Sequence, residues 1–170
     1  DRLRRVLSTH NDLVFVQAEA ILALEAAATS LGRAGLVALN IVTSQYGGYF
    51  GDWLRRAGTD VVTVAAEPGM PVGVEAVRAA LAARPEVGLV AMVHAETSSG
   101  ILNPLPEIAA LARSRGALLL VDAVASVGGH PLDVDALGID VCVIGAQKAL
   151  AGPAGLSMAS VSPRAWAAMR

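Results

Sequence analysis

Seven short apolar runs rich in β-branched residues recur along the chain, at 13–16, 36–41, 61–64, 87–93, 117–121, 141–144 and 155–161. Between most of them lies a stretch of helical periodicity, and this alternation restricts the fold more than any other feature. "EAILALEAAATSLG" (19–32) places Ile21, Leu24, Glu25 and Ala28 at helical intervals and ends on Gly32, a helix stop. "FGDWLRRAG" (50–58) and "VEAVRAALAARP" (74–85) follow the same pattern, and "NPLPEIAALARSRG" (103–116) opens with prolines that a first turn tolerates and closes on Gly116. Strands that are apolar almost throughout are buried on both faces, which argues a mostly parallel sheet between two helix layers. The last connection, "AQKALAGPAG" (146–155), is too short for a crossover helix, so the seventh strand should run antiparallel to the sixth. The expected fold is therefore α/β, three-layer αβα, with a mostly parallel seven-stranded sheet whose last strand is antiparallel.

At 170 residues with 54% hydrophobic side chains the chain can fill the core of one domain. It opens on "DRLRRVLST", which reads as the middle of an amphipathic helix, and ends on "SPRAWAAMR" as another helix begins, so a piece of a longer protein is expected. No apolar run approaches the roughly 18 residues of a membrane span. A formal charge of −2 gives no electrostatic footprint for nucleic acid or an anionic membrane, so neither is an expected partner. Cys142 is the only cysteine, which excludes an internal disulfide and a cysteine-based zinc site and fits a cytoplasmic location. No metal site is expected.

In parallel sheets ligands sit beyond the carboxyl ends of the strands. That rule selects "QAEA" (17–20), "TSQYGG" (43–48), "HAETSSG" (94–100), "DAVAS" (122–126) and "GAQK" (145–148). The phosphate and nucleophile signatures G-x-G-x-x-G, G-K-[ST], G-x-S-x-G and H-E-x-x-H are absent. What remains is an acid at one strand end, Asp122, and an amine at the next, Lys148, the single lysine in a chain whose other twelve basic residues are arginines. A lysine in an apolar pocket is favoured in its neutral, nucleophilic form, whereas a neighbouring aspartate keeps it charged, so the pair alone is ambiguous.

"HAETSSGILNPL", "LLLVDAVAS" and "GAQKALAGPAGL", together with "NIVTSQYGGYFGDW" and "SPRAWAAM", resemble the class V aminotransferases, a branch of the fold-type-I pyridoxal-phosphate enzymes. The resemblance runs from about Leu13 to the end of the chain. It implies that residues 1–170 are the cofactor-binding large domain, with an N-terminal segment and a C-terminal small domain outside them. It also implies transfer of an amino group between a small, alanine-like amino donor and an oxo-acid or pyridoxal. The implied cofactor is pyridoxal 5′-phosphate, or unphosphorylated pyridoxal or pyridoxamine bound as substrate. Lys148 would be the Schiff-base lysine and proton shuttle, and Asp122 would keep the ring nitrogen protonated. Val124 and Tyr46 would flank the ring, Thr97 would reach its 3-oxygen, and Gln147 would help at the phosphate end. A homodimer or homotetramer is implied by likeness alone. Two other readings stand beside this one: a phosphate-using alanine– or serine–glyoxylate aminotransferase, and a non-catalytic pyridoxal-fold module.

One stretch departs from the family pattern. Most class V enzymes place small and hydroxyl residues where the first strand meets its helix, so that amides and the helix dipole cradle the phosphate. Here Ala18 and Glu19 stand in that position, in "VFVQAEAILALEAA". Glu19 would either repel a phosphate and favour the unphosphorylated vitamin, as in a branch of the family that carries glutamate here, or merely satisfy amides of the first helical turn. His94 reads as a hydrogen-bonded structural residue, Cys142, Trp53 and Trp166 as packing, and Arg55, Arg56, Arg113 and Arg115 as solvated helix faces.

Overall fold

All seven predicted strands form, and they join in one sheet of order β1-β7-β6-β5-β4-β2-β3. The structure, a computed structural model, describes residues 1–169. In chain order the elements are α1 (Arg2–Leu7), β1 (Asp12–Val16), α2 (Ala20–Leu31), β2 (Val37–Val42), α3 (Gln45–Arg56), β3 (Asp60–Ala65), α4 (Val74–Ala83) and β4 (Val87–Val93). There follow α5 (Leu105–Ser114), β5 (Leu118–Asp122), α6 (Val134–Leu137), β6 (Val141–Gly145), β7 (Ser157–Val161) and α7 (Pro163–Ala168). β2 to β6 run parallel, and β7 is antiparallel to both β6 and β1. The antiparallel strand is thus interior, and β1 at the edge points the same way as the parallel set. The carboxyl ends of β1, β2, β4, β5 and β6 consequently share one rim.

Alternation along each strand divides the core into two slabs, because successive side chains face opposite sides of a sheet. Leu89, Ala91, Val93, Leu120, Val141 and Val143 pack with α2, α3 and α7. Val90, Met92, Leu119, Val121, Cys142 and Ile144 pack with α4 and α5. At the amino ends, the buried Asp140 carboxylate accepts from the Leu119 N–H (3.0 Å) and the Ser162 hydroxyl (2.8 Å), tying β5 to the start of α7.

One glycine stop holds through close packing, and one helix starts earlier than its pattern indicates. Gly32 does end α2, but its φ of −68° is one any residue adopts. A Cβ there would lie 2.7 Å from the Ala57 Cβ, so the glycine serves close approach of α2 to the end of α3. The helical pattern starts at Phe50, yet α3 begins at Gln45 and runs through all three glycines of "QYGGYFG", so Tyr46 lies in its first turn. Ser44 caps it by accepting from the Tyr46 N–H (3.2 Å). Gly47 lets its first turn settle on β2, where the buried Asn40 amide donates to the Gly47 carbonyl (2.9 Å). A Cβ on Gly47 would stand 2.7 Å from the Ile41 carbonyl oxygen, whereas one on Gly48 would meet nothing within 4 Å. Gly47→Ala should therefore destabilise by about 1–3 kcal/mol, read as a lower urea midpoint at unchanged m. Gly48→Ala in the same turn should be neutral or stabilising by roughly 0.5 kcal/mol.

Candidate active site

The shared rim holds a cavity of about 210 Å³. Each of the five strand-end stretches contributes to its wall: Glu19 after β1, Tyr46 after β2, Thr97 after β4, Asp122 and Val124 after β5, and Gln147 and Lys148 after β6. Convergence follows from topology, since these residues lie up to 129 positions apart but leave the sheet on the same side.

Asp122 is the last residue of β5, in register with Val93 of β4 and Val143 of β6, and only 6% exposed. Burial pushes its carboxyl up to about 7; the Val124 N–H, which donates to Oδ1 at 2.9 Å, and the Lys148 ammonium pull it down, and the Glu96 charge raises it further. Among the described residues it has no ion-pair partner. Lys148 stands in the tight turn after β6, its carbonyl accepting from the Ala151 N–H (2.9 Å). It lines the cavity yet is exposed rather than enclosed in an apolar pocket. The desolvation argument for its reactivity is therefore not met by these residues alone.

Glu19, also on the cavity wall, precedes α2 and makes no side-chain capping bond to it, which removes the reading that it satisfies the helix amides. Its carboxylate instead accepts from Gln147 Nε2 (2.6 Å) and from the Gly155 N–H (3.1 Å), bridging the start of α2 to the β6–β7 loop. Among the described residues Gln147 Oε1 is left buried without a partner. Ala18 is not on the cavity wall, and its N–H is already bonded to the Val16 carbonyl at 2.9 Å.

Tyr46 is half-buried in the first turn of α3, its ring meeting that of Tyr49 edge-on at 6.0 Å. Thr97 is exposed at the mouth, and Val124 is a half-buried wall residue. His94 lies off the wall with Nδ1 3.0 Å from the Ser126 hydroxyl; burial and the neighbouring His130 hold it down at about 4, so it is neutral near pH 7 and structural. Cys142 is buried on the α4/α5 side of the sheet, where burial pushes its thiol up and out of reach of solution chemistry.

Sequence reasoning missed the apolar part of the wall, Ile21, Leu24, Val93 and Ala95. Helical spacing marked Ile21 and Leu24 only as core, and nothing in the spacing distinguishes a core stripe that ends at a cavity. Among the described residues no helix is long and apolar enough to cross a membrane, and no group of three His, Cys, Asp or Glu residues is placed to hold a metal.

The family model for aminotransferase class-V matches residues 2–170. The pyridoxamine–pyruvate transaminase of Mesorhizobium japonicum is 39% identical over 173 aligned residues, 100% of this chain and 43% of that protein. The crystal structure of pyridoxamine–pyruvate aminotransferase from Mesorhizobium loti superposes with a TM-score of 0.95 at 37% identity, covering 99% of this chain and 43% of that one. The alanine–glyoxylate aminotransferase from a Nostoc species gives 0.92 at 36%, covering 98% and 44%. This chain thus spans less than half the length of the relatives it matches. A family match along almost the whole chain, with the seven-stranded sheet of solved relatives and a shared rim bearing the motif residues, places the protein in the class V aminotransferase family.

Proposed function

We propose that this chain forms the cofactor-binding part of an aminotransferase that moves an amino group between a small, alanine-like amino acid and an oxo-acid or a pyridoxal, using pyridoxal 5′-phosphate or the unphosphorylated vitamin. The observation that carries this reading is a buried, unpaired acid, Asp122, in the same cavity as the only lysine. A buried carboxylate without a cation is costly. A protonated heteroaromatic nitrogen would repay that cost, and the apolar walls from Ile21 to Val124 suit a flat ring.

When bound, the cofactor supplies an electron-accepting ring conjugated to its aldehyde carbon. Lys148 would be the residue that holds the cofactor at that carbon and, when its amine is free, the one that takes and returns the proton of the substrate's α-carbon. The Asp122 carboxylate would keep the proton on the ring nitrogen. Tyr46 and Val124 would confine the ring faces, and Thr97 would donate to the 3-oxygen. A homodimer or homotetramer in the cytoplasm agrees with exposed apolar side chains near the cavity, Ile21 (41%), Leu22 (52%) and Tyr49 (41%), and with a reduced, unpaired Cys142.

A specific observation favours the unphosphorylated vitamin. Glu19 occupies the Gly155 N–H that would otherwise meet an anion and puts its own carboxylate on the cavity wall. A carboxylate acceptor suits a hydroxyl, not a phosphate dianion. Because Glu19 is exposed, solvent reduces the repulsion to the order of 1.4 kcal/mol, about tenfold in affinity. Titration of the full-length enzyme should show preference for pyridoxal over its phosphate, and Glu19→Gln should shift the ratio about tenfold toward the phosphate. Tight phosphate-ester binding unchanged in Glu19→Gln would instead favour the phosphate-using alanine– or serine–glyoxylate reading. Absence of any bound pyridoxal compound would favour the non-catalytic module.

A further inference from the structure

Glu96 is 2% exposed, yet no cation pairs with it among the described residues. Its two oxygens accept from two hydroxyls, Thr43 Oγ1 at 2.5 Å and Ser44 Oγ. Each hydroxyl is itself filled by an N–H donor. Asn103 Nδ2 donates to Thr43 (2.9 Å), and the Tyr46 N–H donates to Ser44 (3.2 Å). The Asn103 amide has one orientation only, because its Oδ1 accepts from the Val72 N–H (3.0 Å) while Nδ2 also donates to the Val93 carbonyl (2.9 Å). Both hydroxyl hydrogens are thereby directed at Glu96, the arrangement that makes a buried carboxylate tolerable. The Glu96 backbone completes the junction: its N–H donates to the Ile101 carbonyl (2.8 Å), and its carbonyl accepts from Gly100 (2.9 Å), closing the turn that carries Thr97.

We propose that Glu96 is a positioning residue: its carboxylate clamps the loops after β2 and β4 and, through Ser44, orients the first turn of α3 with Tyr46. Glu96 stands two residues beyond His94, whose N–H donates to the Asp122 carbonyl (2.9 Å), so its charge also acts on Asp122. This rests on the reading that a protonated pyridine ring binds against Asp122. The physical case is that the Ser44 hydroxyl donates to Glu96 and accepts from the Tyr46 N–H, the one side-chain bridge between Glu96 and that N–H among the described residues. Field and geometry therefore separate by mutation. Glu96→Gln removes the charge and leaves one hydroxyl without an acceptor. Ser44→Ala keeps the charge and cuts the link to Tyr46. The other ionisable groups around Asp122 are Lys148, Glu19 and Tyr46 on the cavity wall, Cys142 on β6 and the neutral His94 just after β4. None of them is substituted in either variant, and of these only Tyr46 sits on the turn that Ser44 caps.

The test compares wild type, Glu96→Gln and Ser44→Ala as full-length enzyme. Two readouts are used: visible circular dichroism of bound pyridoxal, and the Asp122 carboxyl titration in cofactor-free protein by carbon NMR. Glu96→Gln should lower the Asp122 midpoint by about half a pH unit, roughly threefold in proton affinity, and should also reduce the dichroism at least twofold. Ser44→Ala should reduce the dichroism while leaving the Asp122 midpoint in place. Wild-type values for both readouts in Glu96→Gln would overturn the proposal and leave Glu96 a loop staple. If Glu96→Gln does not fold, unchanged dichroism in Ser44→Ala overturns it. If wild type binds no pyridoxal at all, the functional reading fails, and the cofactor-free titration still decides whether Glu96 sets the field at Asp122.

Discussion

Lys148→Arg should leave the full-length protein folded and still able to bind pyridoxal weakly, yet abolish both covalent attachment and amino transfer. The charge is retained, and Lys148 is exposed, so stability should change by less than about 0.5 kcal/mol. What is lost is a titratable nitrogen: a guanidinium stays protonated, so it can neither attack an aldehyde nor accept a proton from carbon. Removing the nucleophile and the proton carrier together should lower turnover by at least about ten-thousandfold. Borohydride treatment of the wild type followed by peptide mapping should place a pyridoxyl group on Lys148. Among residues 1–170 no other lysine is available to take its place. Label recovered elsewhere, or turnover within tenfold of wild type, would remove Lys148 from the chemistry.

The fold was legible wherever burial alone decides it. Runs such as Val87–Val93 are apolar at every position because both faces are covered, and they bound β4 to the residue. The direction of β7 followed from the length of the connection before it. Strand order was not legible, since pairing β4 with β2 and inserting β7 between β6 and β1 depends on where crossovers and distant strands pack, not on local pattern. The start of α3 was hidden for a related reason: Gly47 and Gly48 weaken a helix locally, and only the approach of Gly47 to Ile41 shows why one is needed. Of the site, the strand-end rule located all five contributing stretches, because parallel strands deliver their ends to one rim. It carried no information on exposure, so the open position of Lys148 was not foreseen. Nor did "HAETSSG" single out Glu96, whose partners Thr43 and Ser44 lie more than fifty residues earlier in the chain.

Asp122→Asn should make the cofactor-free protein more stable while disabling the enzyme, and the two effects should carry different pH dependences. In the folded, unliganded chain burial raises the Asp122 carboxyl to about 7, above its unfolded value. At pH 3 both states hold the proton, and Asp122 costs nothing. As pH rises past 4 the unfolded state releases its proton while the folded state keeps it, so stability falls with pH until the folded carboxyl ionises near 7. Above that the accumulated cost levels off at about 4 kcal/mol. Asparagine carries no such cost and retains an Oδ1 acceptor for the Val124 N–H. Urea unfolding of cofactor-free protein should therefore show little difference at pH 4 and a gain of a few kcal/mol for Asp122→Asn at pH 8. The cofactor reverses the balance, because a carboxylate stabilises a protonated ring nitrogen and an amide does not. With that acceptor lost, α-proton removal should slow by several orders of magnitude, and bound pyridoxal should protect the variant against urea less than it protects wild type. Equal stability of the two proteins at pH 8, together with a loss of turnover below about tenfold, worth 1.4 kcal/mol of barrier, would show that Asp122 is a buried structural acid, not the partner of the ring.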